Sequence, residues 1–595
     1  MLNKRICFGI TQAHKNTKFE VIYRYYFFVN LQIHATFAQN YYFCAKRMIP
    51  QNFIKIYEES FSKNWELPAL TNYKDHETIT YGQLAEEIAR LHLLFEAIGI
   101  EKGDKIALIG KNHSAWCAVF LAAFTYGAVI VPILHEFNPE SMEHIILHSE
   151  SSCVFIEEKI WAELDQDKID LPFFSLPSFS LLKSSDEKIY HAANRFDKLI
   201  SESYPDGFTK DDIRYAAIDN DEVICLNYTS GTTGNSKGVM LTANNFAGNV
   251  TYAHTLQLLL PKERDLAFLP MAHAYGCAFD FLYALSNGVH VTLLDVIPSP
   301  QNLIKAFQEV KPHIIITVPL IFEKIYKRRI LPIINRPSMK VLLRIPGINN
   351  LIYKKIKKSL VDSLGGNFKE VIIGGAALGR DIESFFTKIK FPFTVGYGMT
   401  ECAPLISYDS HQDFVPTSCG SVLEGIMEAR IDSPDPEKIP GEIQVRGENV
   451  MKGYYKNPEA TREAFTEDGW LKTGDSGVMI GRRLFIKGRI KTMILGSSGQ
   501  NIYPEEIEAK LNNLPYVAES LIVARENRLI ALVFPDQAAM KENHIPGKQL
   551  PDIMDENKGL LNKSVARYER ISAIELMDEA FEKTPKKSIK RFLYS

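Results

Sequence analysis

The chain has 595 residues, too many for one hydrophobic core, so its length predicts two to four domains. Hydrophobic residues make up 46% and charged residues 23%, the balance of an ordinary soluble globular protein. The net charge of -3 supplies no global positive field, which argues against nucleic acid as a partner. The 8 cysteines are scattered without a C-x-x-C pair, which indicates reduced residues of a cytoplasmic protein rather than a disulfide framework or a structural metal site.

Residues 1–47 differ in character from the rest of the chain. They are rich in aromatic residues, have no amphipathic period, and lack the apolar run and cleavage site of a signal peptide. An amphipathic segment begins at Met48. We therefore predict that 1–47 is a translated upstream stretch or a disordered tail. The intact mass of protein made from the native gene tests this prediction, and a mass that includes 1–47 would contradict it.

The next elements alternate between helix and strand. A helix is predicted from Thr80 to Gly99, followed by a strand in the run KIALIG. The apolar stretch Ser114–Leu134 is long enough for a membrane span, but Gly127 and Pro132 interrupt it. We favour a buried helix to about Tyr126 and then a buried strand. Together with a strand near residue 153, this alternation predicts a mostly parallel sheet.

The pattern continues through the large predicted domain, 48–487. Further strands are predicted at 287–294, 313–318 and 370–375, with helices from Gln301 and Ile321, and an antiparallel pair at 430–447. Beyond Gly488, a helix and two strands joined at Glu526–Asn527 predict a small domain, 488–595. The fold class is therefore α/β, with a large N-terminal domain of helix-flanked sheets and a small, mobile α+β C-terminal domain.

One segment carries charge of a single sign. Between Lys324 and Lys358 there are eleven Lys or Arg residues and no Asp or Glu. Such a run binds membrane surfaces or nucleic acid in some proteins. We favour a solvated pair of basic helices beside a site for an acidic ligand, and keep peripheral membrane contact as the alternative.

The strongest chemical signal is YTSGTTGNSKG, at Tyr228–Gly238. Three glycines allow the backbone N–H groups to face anionic oxygens, and five hydroxyls and one lysine add donors and positive charge. The segment is not a Walker A loop, because Lys237 is followed by Gly238. It follows a strand-like run and precedes a helix-like one, so we predict a phosphate cradle at a strand-to-helix turn. Its candidate ligand-binding residues are Thr229, Ser230, Gly231, Thr232, Thr233, Gly234 and Lys237.

This signature resembles the phosphate-binding motif of the adenylate-forming superfamily, which includes acyl-CoA synthetases, firefly luciferase and the adenylation domains of peptide synthetases. The resemblance covers about residues 50–595, and the stretches 318–328 and 497–508 look most like long-chain fatty acyl-CoA synthetases. Two further motifs match on the nucleotide side. Their residues are Gly374, Gly375, Ala376, Tyr397, Gly398, Met399, Thr400 and Glu401.

The resemblance implies a role for several of these residues. Tyr397 stacks on adenine, Thr400 faces the phosphate or the acyl carboxylate, and Glu401 holds Mg²⁺. A carboxylate with a hydroxyl suits magnesium, which prefers oxygen ligands and substrate phosphates. Thr229 is the expected hydroxyl partner and Thr232 the alternative.

Three more motifs follow the same family pattern. Asp475, in WLKTGD, and Arg489, in GRIK, are expected at the ribose, and Lys491 is expected to be the hinge between the domains. His273, in LPMAHAYG, is expected near the acyl carboxylate and the approaching thiol.

The C-terminal tail departs from the family pattern. The family places an adenylating lysine before a basic end, and aligning the end of this chain puts Ser588 at that position. A shift of one residue supplies Lys587, with Lys586 or Lys590 as alternatives. We take Lys587, together with Lys237, Thr400 and Glu401, as the catalytic candidates.

The resemblance implies ATP-dependent activation of a fatty acid to an acyl-adenylate and transfer to coenzyme A, with ATP, Mg²⁺ and CoA as cofactors and substrates. A carrier-protein thiol is the alternative acceptor. A catalytically impaired binding paralogue, suggested by Ser588, is the alternative without activity, and nothing selects for a luciferase-type oxidase. The expected location is the cytoplasm, peripherally on the inner membrane face through 324–358. The sequence indicates neither the acyl chain length nor the oligomeric state.

Overall fold

A computed structural model describes residues 49–50, 52–229, 236–326, 330–495, 501–525, 528–584 and 589–594. The chain divides after Pro50, and the helices and strands of the described residues belong to the second unit, Gln51–Ser595. The predicted start at Met48 and the predicted extension 1–47 lie outside the described residues. The α/β fold class is confirmed, because parallel strands flanked by helices form the centre of this unit.

The largest sheet has eight strands, and its five central strands run parallel. Their sequences, such as KIALI and VIVPI, are nearly continuous apolar runs because both faces of the sheet are covered. The edge strands pair antiparallel. In spatial order the strands are Gly453–Tyr454, Lys237–Thr242, Val223–Thr229, Val129–Ile133, Lys105–Ile109, Ser151–Glu157, Phe173–Leu176 and Leu181–Lys183.

Five smaller sheets accompany it within the described ranges. Two of those that contain parallel pairs lie between residues 68 and 395: Arg264–Ala267, His290–Leu293, Pro68–Asn72, Glu77–Thr80; and Ile314–Thr317, Glu370–Ile373, Phe393–Val395. A seven-stranded antiparallel sheet contains Tyr397–Gly398, Leu405–Tyr408, Ser421–Val422, Arg483–Arg489, Leu471–Ile480, Gly441–Gly447 and Met427–Asp432. The remaining two are Ile494–Leu495, Asn501–Ile502; and Val517–Arg525, Arg528–Pro535, Ile571–Leu576. The antiparallel pair predicted at 430–447 is thus confirmed, as the outer edge of the seven-stranded sheet.

The α-helices pack on these sheets or connect their strands, and a π-helical segment, Cys277–Tyr283, interrupts one of them. The helices are Lys55–Lys63, Tyr81–Ala97, Ser114–Tyr126, Pro139–Ser149, Glu158–Trp161, Glu187–Asn194, Phe196–Ser203, Ala243–Leu256, Ala274–Gly276, Ala284–Ser286, Pro300–Val310, Pro319–Ile325, Leu331–Ile334, Pro337–Leu342, Ile348–Ser363, Arg380–Lys388, Pro458–Ala464, Pro504–Leu511, Gln537–Glu542 and Leu550–Ser564.

The apolar stretch after Ser114 is part of the core. Its helix, Ser114–Tyr126, is buried along almost its whole length and ends at Gly127, whose φ of 94° a glycine adopts without strain. The next strand, Val129–Ile133, is buried throughout. Among the described residues, no helix combines the length and apolarity that crossing a bilayer requires. The predicted buried helix and strand are confirmed.

The C-terminal elements form a small core of their own. Ile507 and Leu511 of the first helix pack with Ile522 and Ala531 of the two predicted strands. Both predicted strands are present and they pair antiparallel, while their junction, Glu526–Asn527, lies outside the described residues. The predicted boundary at 488 falls within the strand Arg483–Arg489, which continues the seven-stranded sheet.

A buried pair of carboxyls lies in the core of the large domain. Asp265, on a strand, and Asp280, in the π-helical segment, are each about 1% exposed, and among the described residues no donor hydrogen-bonds to their oxygens. Burial raises the pKa of both carboxyls, that of Asp265 to about 7. A proton shared between the two carboxyls supplies the missing hydrogen bond.

This pair predicts a pH-dependent contribution to stability. Because the pKa of both carboxyls is raised on folding, the native state binds more protons than the unfolded state above about pH 4, and stability falls as pH rises from there. Asp280→Asn removes the contribution of one of the two carboxyls. We expect Asp280→Asn to gain melting temperature relative to the parent protein as pH rises from about 5 to about 8. Thermal unfolding across that range tests this, with the exposed Asp221→Asn as control. Parallel curves for Asp280→Asn and the parent would contradict it.

Candidate active site

Two paired strands flank the predicted cradle. Val223–Thr229 and Lys237–Thr242 pair antiparallel, with Thr229 opposite Lys237 at the open end. Gly238 fits there because a Cβ at this position would lie 3.0 Å from the ring of Tyr228. The intervening candidates Ser230, Gly231, Thr232, Thr233 and Gly234 lie outside the described residues. The pairing therefore places the Thr229 and Lys237 backbones side by side where the cradle begins.

The prediction of a strand-to-helix turn is wrong. The last residues of the motif belong to a strand, Lys237–Thr242, and the helix begins only at Ala243, where Thr242 and Asn245 form a capping box. Val239 and Leu241 are buried, and this strand is paired on both sides, so tertiary pairing decides its conformation.

Tyr454 connects Lys237 to Glu401. The Lys237 ammonium lies 4.8 Å from the centre of the Tyr454 ring, a cation–π distance, and the Tyr454 hydroxyl donates a hydrogen bond of 2.9 Å to Glu401 Oε1. The strand pairing of Tyr454 with Val239 fixes this position beside the paired strands. Burial and the nearby Glu401 carboxylate raise the pKa of Tyr454, so the phenol stays a neutral donor. Lys237, the predicted cation, and Glu401, the predicted metal ligand, thus both contact Tyr454, which was not predicted as a site residue.

Glu401 and Thr400 lie in a tight turn. Tyr397–Gly398 and Leu405–Tyr408 pair antiparallel, and residues Thr400–Cys402 form one turn of 3-10 helix between them. Gly398 is required, because a Cβ there would lie 2.2 Å from the carbonyl oxygen of Pro404. The turn holds Thr400 and Glu401 half-buried at the surface of the site.

Tyr397, Asp475 and Arg489 form a second cluster. The buried Tyr397 donates its hydroxyl to Asp475 Oδ2 at 2.7 Å, and Arg489 Nε lies 3.3 Å from Asp475 Oδ1. Asp475 and Arg489 face each other on neighbouring strands. Burial raises the pKa of Asp475, and the Arg489 guanidinium opposes that rise. Three residues predicted on the nucleotide side, from separate motifs, therefore lie in contact.

The segment Gly374–Ala376 begins where the strand Glu370–Ile373 ends. The Gly374 N–H donates to the carbonyl of Thr317 at 3.0 Å, and Gly375 has a φ of 82°. The Tyr275 ring packs against Gly374, where a Cβ would lie 3.0 Å from it. Gly375 and Ala376 are exposed, so a ligand can reach this segment.

His273 lies just before this tyrosine, and it is half-buried. The buried Asn227 donates to the carbonyl of Ala272 at 3.0 Å, which ties the His273 loop to the cradle strand. Tyr275 donates to the carbonyl of Ile372 at 3.2 Å, which ties the same loop to the strand that precedes the predicted adenine segment. The loop therefore bridges two of the predicted binding segments.

The hinge and tail candidates lie apart from these contacts. Lys491 is exposed in the short turn Ile490–Thr492, immediately after Arg489. Lys590 pairs with Glu582 at 3.2 Å on the C-terminal tail. Lys586 and Lys587 lie outside the described residues, as does Ser588.

The donor set at Glu401 suits magnesium. Glu401 Oε1 accepts the Tyr454 hydrogen bond, and Oε2 has no hydrogen-bond partner within the described residues, which leaves a carboxylate oxygen for a cation. No group of three or more His, Cys, Asp or Glu side chains that fits a metal occurs in the described part of the chain. Magnesium does not require such a cage when substrate phosphates supply the other ligands.

We expect Tyr454→Phe to slow the adenylation that the resemblance implies by roughly tenfold, because it removes a hydrogen bond to a charged group. It should also raise the magnesium concentration needed for half-maximal rate, which a purely structural role would not do. Tyr455→Phe is the matched control, because Tyr455 donates a similar hydrogen bond of 2.9 Å to the exposed Glu150. Equal magnesium dependence in the two variants would contradict the assignment of Tyr454 as a positioning residue. The assay is ATP–pyrophosphate exchange over a series of magnesium concentrations.

Comparisons with known proteins match nearly the whole second unit. The family model of AMP-binding enzymes matches residues 57–455, and that of the AMP-binding enzyme C-terminal domain matches 491–594. The chain is 27% identical over 560 residues to the long-chain-fatty-acid–CoA ligase FadD15 of Mycobacterium bovis, covering 86% of this chain and 90% of the relative. It is 26% identical over 537 residues to the chloroplastic long-chain-fatty-acid–[acyl-carrier-protein] ligase AEE15 of Arabidopsis thaliana, covering 77% and 72%. Among solved structures, it shares its fold with the o-succinylbenzoate coenzyme A synthetase MenE of Bacillus subtilis in complex with ATP and a magnesium ion, with a TM-score of 0.68, 20% identity and 91% and 99% coverage.

Proposed function

We propose, from the premise that the chain belongs to the AMP-binding enzyme family, that it activates a fatty acid with ATP and transfers the acyl group to coenzyme A. The products are acyl-CoA, AMP and pyrophosphate, so the enzyme is an AMP-forming acid–thiol ligase. The observation that carries the proposal is that Tyr454 contacts both Lys237, through its ring, and Glu401, through its hydroxyl. Relatives named for long-chain fatty acids support the substrate class.

In the first half-reaction a carboxylate oxygen of the fatty acid attacks the α-phosphorus of ATP, and the bond to the pyrophosphate oxygen breaks. Glu401 and Thr229 would hold Mg²⁺, which supplies neutralisation of phosphate charge when bound. Lys237 adds positive charge at the cradle, and Thr400 orients the acyl carboxylate or the α-phosphate. Positioning and charge stabilisation account for most of the catalysis of such transfers.

On the nucleoside side, we assign adenine to the segment Gly374–Ala376 and to Tyr397, with Gly398 and Met399 in the adjoining turn. Asp475 and Arg489 are assigned to the ribose hydroxyls. Their contact across the strands supports this assignment, because a carboxylate held by a guanidinium is a fixed hydrogen-bond acceptor.

In the second half-reaction the CoA thiolate attacks the acyl carbonyl carbon, and the bond to the AMP oxygen breaks. We place His273 beside the acyl carboxylate and the path of the thiol. We also propose that the domain 488–595 rotates about Lys491 between the two steps. Lys491 is exposed and no residue of the turn Ile490–Thr492 is buried, which supports a hinge there because no core packing opposes its movement. The proposed location of the enzyme is the cytoplasm.

ATP–pyrophosphate exchange with a panel of fatty acids tests the first half-reaction. Exchange that depends on a long-chain acid supports the proposal, and absence of exchange with every carboxylate would favour the binding paralogue instead. Product analysis with CoA and, separately, a holo acyl-carrier protein tests the acceptor. The second candidate acceptor is the acyl-carrier protein, which the carrier-protein ligase among the relatives favours. Exchange followed by acylation of the carrier protein but not of CoA would identify the carrier protein as the acceptor.

A further inference from the structure

An unusually long connection joins two neighbouring parallel strands beside the site. Ile314–Thr317 and Glu370–Ile373 pair directly, and a crossover between such strands needs only about a dozen residues. This connection carries the helices Leu331–Ile334, Pro337–Leu342 and Ile348–Ser363. It starts after Thr317, the last residue of the first strand, whose carbonyl accepts the hydrogen bond from Gly374. A surface on this connection therefore lies on the element that borders the proposed adenine segment.

Exposed apolar side chains concentrate on the connection. The helices Leu331–Ile334 and Pro337–Leu342 have no buried residue at all. Val341 is 61% exposed and Leu351 is 70% exposed. Six of the twenty large hydrophobic residues that are exposed among the described ones fall between positions 333 and 351: Ile333, Val341, Leu342, Ile345, Ile348 and Leu351. Scattered single apolar residues are ordinary, whereas a cluster of this kind marks an interaction surface.

The same segment has positive charge without counter-charge. Seven of its basic residues are described, and none of them makes an ion pair within the described part of the chain: Arg336, Lys340, Arg344, Lys354, Lys355, Lys357 and Lys358. The whole run from Lys324 to Lys358 contains no acidic residue. An anionic partner would relieve the mutual repulsion of these cations.

The helix Ile348–Ser363 orders the two kinds of side chain along one face. Ile348, Leu351, Lys355 and Lys358 follow one another at spacings of three and four residues, so they share that face. With a rise of about 1.5 Å per residue, the two lysines lie about 6 and about 10 Å behind Leu351 along the helix axis. The apolar side chains thus occupy the N-terminal part of this face and the basic ones its C-terminal part.

We propose that residues 331–358, the crossover patch, dock the enzyme on an anionic lipid surface, with the apolar side chains in the acyl boundary and the basic ones at the lipid phosphates. The inference rests on the proposed function, because a membrane then supplies the fatty acid next to the site that activates it. A second copy of the chain is a poor occupant, since an isologous contact would set these cations against themselves. An acidic protein is also a poorer fit, because the large exposed apolar residues of the patch are all aliphatic, whereas protein interfaces favour aromatic anchors.

Cosedimentation of the full chain with vesicles tests the crossover patch. We expect binding to vesicles of phosphatidylcholine mixed with phosphatidylglycerol, weak binding to phosphatidylcholine alone, and loss of binding as salt increases. Lys355→Gln with Lys358→Gln should lower partitioning to the anionic vesicles by roughly fivefold per lysine. Val341→Ser with Leu351→Ser should lower it at least as much. The matched controls are the exposed Lys541→Gln with Lys548→Gln, and Leu560→Ser.

The outcomes separate this inference from the proposed function. The patch variants should keep full ATP–pyrophosphate exchange with a fatty acid that dissolves as monomers, so lost exchange would mark a defect of the site or of folding. No binding to anionic vesicles, or equal binding to both vesicle types, would overturn the inference. It would also be overturned if the patch variants bound vesicles normally and instead lost a dimer seen by sedimentation equilibrium, or lost binding to an acyl-carrier protein.

Discussion

Glu401→Gln should lower the rate of ATP–pyrophosphate exchange by roughly 10²-fold or more, the effect of removing one preorganised charge-stabilising group. The glutamine has almost the same shape, and its amide oxygen still accepts the hydrogen bond from Tyr454. The substitution therefore removes the negative charge and the metal-ligand oxygen while it leaves the local packing intact. The measurement is exchange with a long-chain fatty acid at saturating ATP.

Two further variants make the result specific. Glu424→Gln removes an exposed carboxylate and should keep the parental rate. Glu401→Asp keeps the charge on a shorter side chain, so its rate should lie between those of the parent and Glu401→Gln, and it should recover as magnesium increases. If Glu401→Gln exchanges within about threefold of the parent, the assignment of the metal to this residue is wrong, since a metal-holding carboxylate is worth far more than that.

The resemblance to adenylate-forming enzymes, and to long-chain fatty acyl-CoA synthetases among them, is confirmed by the family match and the relatives. The order of helices and strands was predictable wherever periodicity was strong. The helix Tyr81–Ala97 shows this best, because its apolar spacing and its Thr80–Gln83 capping box both fix its start. The buried helix Ser114–Tyr126 was distinguishable from a membrane span because Gly127 ends it locally.

The strand Lys237–Thr242 was missed because its conformation is decided by distant partners. The composition of Lys237–Thr242 does not differ clearly from that of the helix that follows, Ala243–Leu256. The segment is a strand because it pairs with Val223–Thr229 on one side and Gly453–Tyr454 on the other. Local propensity gives way to such tertiary pairing.

Tyr454 was missed for a related reason. It lies 217 residues after Lys237 and 53 residues after Glu401 in the chain, and only the strand pairing brings the three together. An aromatic residue in the run GYYKNP has no feature that separates it from its neighbour Tyr455. The contact of Tyr397 with Asp475 likewise depends on the seven-stranded sheet, because the two residues come from separate motifs.

One lysine of the C-terminal tail should be required for adenylation and for nothing else. We expect Lys587→Ala to lower ATP–pyrophosphate exchange by on the order of 10²-fold, because it removes a cation that stabilises charge on the α-phosphate. Transfer from a supplied acyl-adenylate to CoA should stay at the parental rate, because by then the bond to pyrophosphate is already broken. The two half-reactions, measured separately on the same variant, test this division of roles.

Lys586→Ala and Lys590→Ala are the matched controls, since each removes one positive charge from the same tail. Lys590 forms an ion pair with Glu582. The next residue, Arg591, fixes the same part of the tail by donating hydrogen bonds of 2.7 and 2.8 Å to Glu508. A lysine engaged in holding the tail is poorly placed to reach a phosphate, so Lys590→Ala should affect stability more than exchange. Full exchange in all three variants would remove the C-terminal lysine from the mechanism and leave Lys237 as the candidate cation at the phosphates. Loss of exchange in Lys586→Ala alone would assign the role to Lys586 instead of Lys587. Because the family alignment places Ser588 at the lysine position, these variants also test how the tail should be aligned.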